Sequence, residues 1–257
     1  MEITDNLKES LNFPIQNYEK WLIVGVLFLI IGIFSFLNTS YPSSVMSTIN
    51  TIVDIVLGLI LFGYSISIIK ATINGEDLPQ FDIVKNIVDG VKVAVLDFVY
   101  LIIPTIITIL VAWGTGVFSN FIKVVNIFAN NATASSASIP ASLSTSLTYG
   151  VIITVIIAVI LYLIFILLAY IGMARMAEFD SLKEGLSFVE VFHKISSIGW
   201  MKYVGWFILF VIILMVLSLI SGLIDMIPYV GTFINALIVS SFIMLFTYRS
   251  LGNIYNE

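Results

Sequence analysis

The chain has no cysteine and a single histidine, His193, among its 257 residues. The first absence removes disulfide frameworks, thiolate metal sites, iron–sulfur clusters and cysteine nucleophiles. The second leaves no room for a two-histidine metal motif such as HExxH. Charge is scarce too, at 11% of residues, against roughly 25% in an ordinary soluble domain. The net charge is −5 and no basic run stands out, so a nucleic-acid footprint is missing. No P-loop or dinucleotide fingerprint, nucleophile elbow or Ser/His/Asp pattern occurs. The residues therefore predict no cofactor, no metal site and no catalytic residue, and the chain reads as non-enzymatic.

What is present is apolar. Hydrophobic residues make up 60% of the chain and the mean hydropathy is +1.10. A helix that crosses a bilayer needs about 20 mostly apolar residues. Runs of that kind fall at Trp21 to Leu37, Ile49 to Ile69, Val91 to Trp113, Tyr149 to Met173, Tyr203 to Ile224 and Tyr229 to Tyr248. The expected fold is all-α and polytopic, with six transmembrane helices in a membrane domain over residues 21–248, an N-terminal segment 1–20 and a C-terminal tail 249–257. The first run is a retained span, because the preceding segment is net acidic and no small-residue cleavage site follows.

Ten of the eleven basic residues, all but Lys123, fall before span one, between spans two and three, between four and five, or after six. Under the positive-inside rule this places both termini in the cytoplasm and predicts a multi-pass protein of the cell membrane. The external loops are then Asn38 to Thr48, Gly114 to Thr148 and Asp225 to Pro228. The long one opens with an amphipathic stretch in which Phe118, Phe121, Ile122, Val125 and Phe128 share a face, and continues as a low-complexity linker, NNATASSASIPASLSTS. Sequons at Asn38 and Asn131 fall outside, but this composition produces as many by chance.

Two cytoplasmic loops carry helical amphipathic patterns. Over INGEDLPQFDIVKNIVDGVK, Phe81, Val84, Ile87, Val88 and Val91 occupy one half of a helical wheel, and Asp82, Lys85, Asn86, Asp89 and Lys92 the other. Pro79 suits a first turn. Leu182 to Ile198 repeats the pattern with a narrower polar sector, as expected of a helix lying deeper or covered by protein. Two interfacial helices flanked by equivalent span pairs suggest a parallel internal repeat. The four tryptophans, Trp21, Trp113, Trp200 and Trp206, lie near span ends, where aromatic anchors belong.

Carboxylates inside a span are costly and are functional candidates by default. Two occur, Asp54 and Asp97. On span three, Asp97, Tyr100, Pro104 and Thr108 share one strip, and Pro104 frees the carbonyl of Tyr100. On span two, Asn50, Thr51, Asp54, Gly58 and Ser65 do likewise, as do Ser218, Ser221, Gly222 and Asp225 on span five. All three strips are expected to face the bundle interior. No lysine or arginine lies within a span to pair with either acid, and their different depths argue against a direct dyad.

Several motifs together resemble the domain of unknown function 4013 family. They are FPIQNYEKW before span one; GYSISIIKATINGEDLPQFD, with Gly63, Tyr64, Pro79 and Phe81; the Asp89–Gly90 pair; YLIIP with Pro104; IPYVGTF with Pro228 and Gly231; and YRSLGNIY with Arg249, Gly252 and Tyr255. The resemblance implies an archaeal integral membrane protein and brings no established activity or catalytic residue. The partners expected are the lipid bilayer and either a second copy of the chain or a cytoplasmic protein. The favoured role is a membrane interaction or organising protein. The alternatives are a transporter or channel using the strips around Asp54 and Asp97, or an intramembrane enzyme acting on lipid.

Overall fold

The computed structural model describes residues 2–130, 135, 138–228 and 230–257. The described residues form helices and contain no strand. In chain order these are α1 (Ile3–Gln16), α2 (Tyr18–Ser40), α3 (Ser44–Ile73), α4 (Ile83–Gly114), α5 (Val117–Asn130), α6 (Ala141–Phe179), α7 (Leu182–Gly185), α8 (Phe188–Ile198), α9 (Trp200–Asp225), α10 (Val230–Ile234), a π-helical turn Asn235–Ser240, and α11 (Ser241–Tyr255). Six helical segments are long and apolar enough to cross a membrane: α2, α3, α4, α6, α9 and the continuous run Val230–Tyr255. The protein is thus an all-α, polytopic membrane protein. Asn131, carrying one sequon, and Tyr229, the expected start of span six, lie outside the described residues.

The chain divides into two compact units, one of Met1–Leu96 with Ala169–Glu257, the other of Asp97–Leu168. In lipid, helices gain little from burying apolar area against one another. They associate through close packing and interhelical hydrogen bonds, which favours small residues at contacts. The first unit follows that rule. A Cβ on Gly63 of α3 would fall 1.7 Å from the Asn86 carbonyl oxygen of α4, and one on Gly90 of α4 would fall 1.9 Å from the Leu59 carbonyl oxygen of α3. The two backbones touch at two glycines. On α2, Gly25 meets the Leu237 carbonyl in the same way, at 2.1 Å, against the π-helical turn. Gly252 of α11 lies on Thr72 of α3, and Gly231 of α10 on the Ile224 carbonyl of α9.

Aromatic and aliphatic side chains fill what the glycines leave. Phe13, Val24, Leu61, Tyr64, Ile68, Leu78, Met244 and Leu245 form one buried cluster. Beside α11, Trp206 stacks on Phe210 with centroids 5.0 Å apart, and Phe210 on Phe246 at 5.6 Å. Trp206 is fully buried and its Nε1 donates to Ser250 Oγ at 2.9 Å. It is a core residue, not the interfacial anchor its position suggested. Trp113 and Trp200 are exposed as anchors require.

In the second unit, α5 is the expected amphipathic helix. Phe118, Phe121, Ile122, Val125 and Phe128 form its exposed apolar face, and Asn120 is buried and donates to Ser146 Oγ at 3.0 Å. The low-complexity stretch is not a linker throughout, because α6 begins at Ala141 and includes SLSTS. Pro104 does not break span three, since α4 runs continuously from Ile83 to Gly114.

Three further expectations change. The amphipathic segment between spans two and three is no separate surface helix. Residues 76–82 are coil, Pro79 lies in that coil, and the rest is the start of α4. Its polar face is divided as well: Asn86 and Asp89 are buried, while Asp82 and Lys85 are exposed, as are Val84, Val88 and Val91. Packing against α3 through Gly63 and Gly90 turns Asn86 and Asp89 inward and leaves the valines outward. The second segment is two helices, α7 and α8, interrupted at Leu186 and Ser187, with Val191, Ile195 and Ile198 buried. The two connections are therefore unlike, and the parallel repeat does not extend to them. Residues 249–255 are no tail but the last turns of α11, buried at Ser250 to Tyr255.

Candidate functional site at the charged end

Much of the charge of the first unit is engaged where α1, the ends of α3, α6 and α11, and the start of α4 carry their polar residues. The N-terminal segment folds into α1 because Asn6, Ser10 and Phe13, with Leu7 and Pro14, share a face that α11 covers. Ser250 Oγ donates to Asn6 Oδ1 at 3.0 Å, and Asn253 Nδ2 reaches Ser10 Oγ at 3.2 Å and Glu9 Oε2 at 2.5 Å. Arg249 grips Glu9 with Nη2 on Oε1 at 2.7 Å and Nε on both oxygens, at 2.9 and 3.2 Å. Its guanidinium also lies 4.3 Å from the centre of the Phe13 ring.

A second set of bonds ties α6, α7, α8 and α11. Arg175, only 8% exposed, donates to Glu184 Oε2 at 2.8 Å and stands 3.8 Å from Glu190. Tyr255 Oη donates to Glu178, and the Lys194 ammonium lies 4.4 Å over the Tyr255 ring. Burial pushes the Lys194 ammonium below its ordinary value; Glu178 opposes that shift and Arg175 adds to it. Lys202 pairs with Glu257 at 2.5 Å, and that hydrogen bond holds the Glu257 carboxyl below its usual range.

The third set surrounds a polar cleft. Lys70 at the end of α3 and Lys92 on α4 both reach Asp180, at 3.4 and 3.7 Å, and Lys92 also bonds Asp89 at 2.8 Å. Burial works to raise the Asp180 pKa, yet Lys70, Lys92 and Lys85 outweigh it and hold it below the ordinary carboxylate value. Between the end of α3 and the start of α4 opens a cleft of about 360 Å³, lined by Ser67, Lys70, Glu76, Asp82, Lys85 and Asn86 among others. Asp82 Oδ1 accepts from the Lys85 backbone N–H at 3.1 Å, which caps α4. Asn86 is 1% exposed and its Nδ2 has no hydrogen-bond partner.

The intramembrane candidates are not gathered into one site. Asp54 is exposed, accepting from Asn50 Nδ2 at 2.8 Å, and Thr51 beside it is exposed as well. The outer part of the span-two strip therefore does not face the interior as expected; only Ser65, further along, is buried. The strip on span three does turn inward: Asp97 is half-buried, Tyr100 and Pro104 are buried, and the Thr108 hydroxyl is buried without a partner. On span five, Ser221 donates to Asn235 Oδ1 at 2.9 Å and Asn235 Nδ2 to Asp225 at 2.8 Å, so that strip is spent on the π-helical turn. Asp54 belongs to the first unit and Asp97 to the second. His193 is exposed.

Most family-like positions are contact positions. Gly63, Gly90, Gly231 and Gly252 carry the close approaches already described. Tyr64 donates to the Pro79 carbonyl at 3.0 Å and packs its ring 4.6 Å from Phe81, so three motif residues fasten the 76–82 segment onto α3. Arg249 and Tyr255 hold the ends of the charged network. Pro228 lies exposed in the turn before α10.

The family model described as Protein of unknown function (DUF4013) matches residues 46–226, more than half of the chain. The chain belongs to the DUF4013 family. The match takes in α3 to α9, including both glycines of the α3–α4 contact and Arg175, and stops short of α1 and α11. No curated protein and no solved structure matches. The residues that sequence reasoning did not single out are Glu9, Asn6, Ser10 and Asn253, and Asn86 was named only as one of a polar helix face. The spacing of Asn6, Ser10 and Phe13 along one helical face was the available signal for the first of these groups. Nothing in the sequence pairs Glu9 with a residue 240 positions away.

Proposed function

We propose that this DUF4013 protein is a non-enzymatic membrane protein that works by interaction, organising or recruiting other components at the cytoplasmic face of the cell membrane, with both termini on that side. One observation supports the reading above the others. Apart from carboxylates such as Asp54 and Asp97, the charge is not drawn into the spans but tied into a polar end, by Glu9–Arg249, Arg175–Glu184 and Lys70–Asp180, with Val189, Phe192 and Met201 exposed beside it. A face of that kind is assembled before a partner arrives, which lowers the entropy cost of docking.

Purifying the full chain in mild detergent tests the role. A stoichiometric partner whose recovery falls in Val189→Glu and Met201→Glu is the expected result, and recovery of the chain without a partner would overturn it. Because the protein has no cysteine, Lys8→Cys and Lys123→Cys report orientation cleanly. A membrane-impermeant thiol reagent should label the second from outside and the first only after permeabilisation.

A second reading, passage of a small molecule or ion, is favoured by the inward strip of Asp97, Tyr100 and the unpartnered Thr108 hydroxyl. In proteoliposomes it requires a flux that Asp97→Asn abolishes.

A further inference from the structure

The cleft between the end of α3 and the start of α4 has features that the network around it takes up only in part. Lys85 is exposed and its ammonium makes no ion pair among the described residues. Lys70, from the facing helix, has one long contact, to Asp180 at 3.4 Å. Asn86 lines the same cleft, and its amide nitrogen is buried and unpartnered. A buried donor without an acceptor costs roughly 1–3 kcal/mol, so the site is built for an acceptor. The Ser67 hydroxyl donates to Asn86 Oδ1 at 3.5 Å, which leaves the amide nitrogen as the group without a partner. Two ammonium groups and a neutral amide converging from two helices form a receptor for a phosphate oxygen.

The rim carries the opposite sign. Glu76 and Asp82 line the same cleft, and Asp180 stands 3.4 Å from Lys70, so the cleft carries both signs. A bare anion would meet both. A phosphate joined to hydroxyl or ammonium donors matches the cleft at both ends, with its oxygens on Lys70, Lys85 and Asn86 and its donors on the carboxylates. Depth agrees with this: the apolar run of span two ends at Ile69, so Lys70 and the first turn of α4 sit where lipid headgroups lie.

The geometry points to a binding site for the headgroup of a phospholipid whose phosphate is linked to a group that donates hydrogen bonds, a hydroxyl or a primary ammonium but not a quaternary one, held between Lys70, Lys85 and Asn86 on one side and Glu76 and Asp82 on the other. The site is independent of whether a partner protein docks on the charged end.

The test is native mass spectrometry of the purified full chain, titrated separately with phosphatidylglycerol, phosphatidylcholine and inorganic phosphate. One phosphatidylglycerol is expected to bind in preference to phosphatidylcholine. Its affinity should fall about tenfold in Lys85→Gln, the loss of one charge-assisted contact, and comparably in Asn86→Ala. Lys85 is exposed and bonds no other side chain, so its variant should fold, and an unchanged melting temperature checks this. Equal binding of both lipids, unchanged binding in Lys85→Gln, or competition by inorganic phosphate as strong as by the lipid would each overturn the assignment.

Discussion

Arg249, six residues before the end of α11, sets its guanidinium on both carboxylate oxygens of Glu9 in α1, at 2.7 to 3.2 Å. The pair joins the first and last helices of the chain, and with Asn253 on the same carboxylate it fastens α1 to the membrane domain. Arg249→Ala is expected to lower stability by about 1–2 kcal/mol, the range for a fork-shaped pair that is partly exposed. It should also make α1 susceptible to limited proteolysis in detergent. Arg249→Lys should restore part of the melting temperature and less of the protection, since a lysine cannot bridge both oxygens.

Gly63→Ala should be far more damaging than its size suggests. The added carbon would lie 1.7 Å from the Asn86 carbonyl oxygen, so α3 and α4 must separate, at a cost of about 3 kcal/mol or more. Gly58, on the same helix, has open space around it. Gly58→Ala should be neutral, or stabilising by up to about 1 kcal/mol. Paired thermal melts of the two variants distinguish a contact glycine from one that only loosens a helix.

Trp206 gives a third comparison. Trp206→Phe keeps most of the stack with Phe210 but removes the Nε1 donor to Ser250. Because Ser250 Oγ retains its bond to Asn6, the loss should be about 1–2 kcal/mol. Trp206→Ala should cost about 3–5 kcal/mol through the cavity it leaves. Thermal melts of the two variants side by side check the ratio.

How far such residues were legible in the sequence depends on what surrounds a helix. Long apolar runs have one explanation, so all six spans could be read from composition and length. The first turns of α4 could not. A helical wheel sorts polar from apolar but does not say which side faces protein, and at the edge of a bilayer both answers are available. The valines Val84 and Val88 point outward, and Asn86 and Asp89 are buried. Asp54 failed for the same reason, since a polar strip on a span need not face inward near its end. Arg249 was misplaced because a charge after an apolar run reads as a tail, and its partner Glu9 is remote in sequence.

The Asp180 carboxyl sets a pH dependence whose sign follows from its lysines. They depress its pKa in the folded protein, so the folded state binds fewer protons there than the unfolded chain. The resulting stability is present at neutral pH and is lost as pH falls through the depressed value. The side chain is 54% exposed, so screening limits the contribution to about 1 kcal/mol or less. Melts of the full chain from about pH 7 to pH 3 should show Asp180→Asn slightly less stable than the parent at neutrality, with the difference vanishing at the acid end.

The two glycine contacts between α3 and α4 also fix a register. Leu59 and Gly63 are four residues apart, as are Asn86 and Gly90, and each glycine meets the backbone of the other pair's first member. The hairpin is a tooth-and-notch joint with two teeth, and sliding by a turn would drive a side chain into each notch at once. No smaller slip relieves both. Lys70 and Lys85 stand at the end of this hairpin where the chain passes from α3 to α4, so their separation is gauged by bare backbone seated one to two helical turns further along the same two helices. A methyl group added there would be read out among the headgroups, as a change in which ligand the two lysines can span.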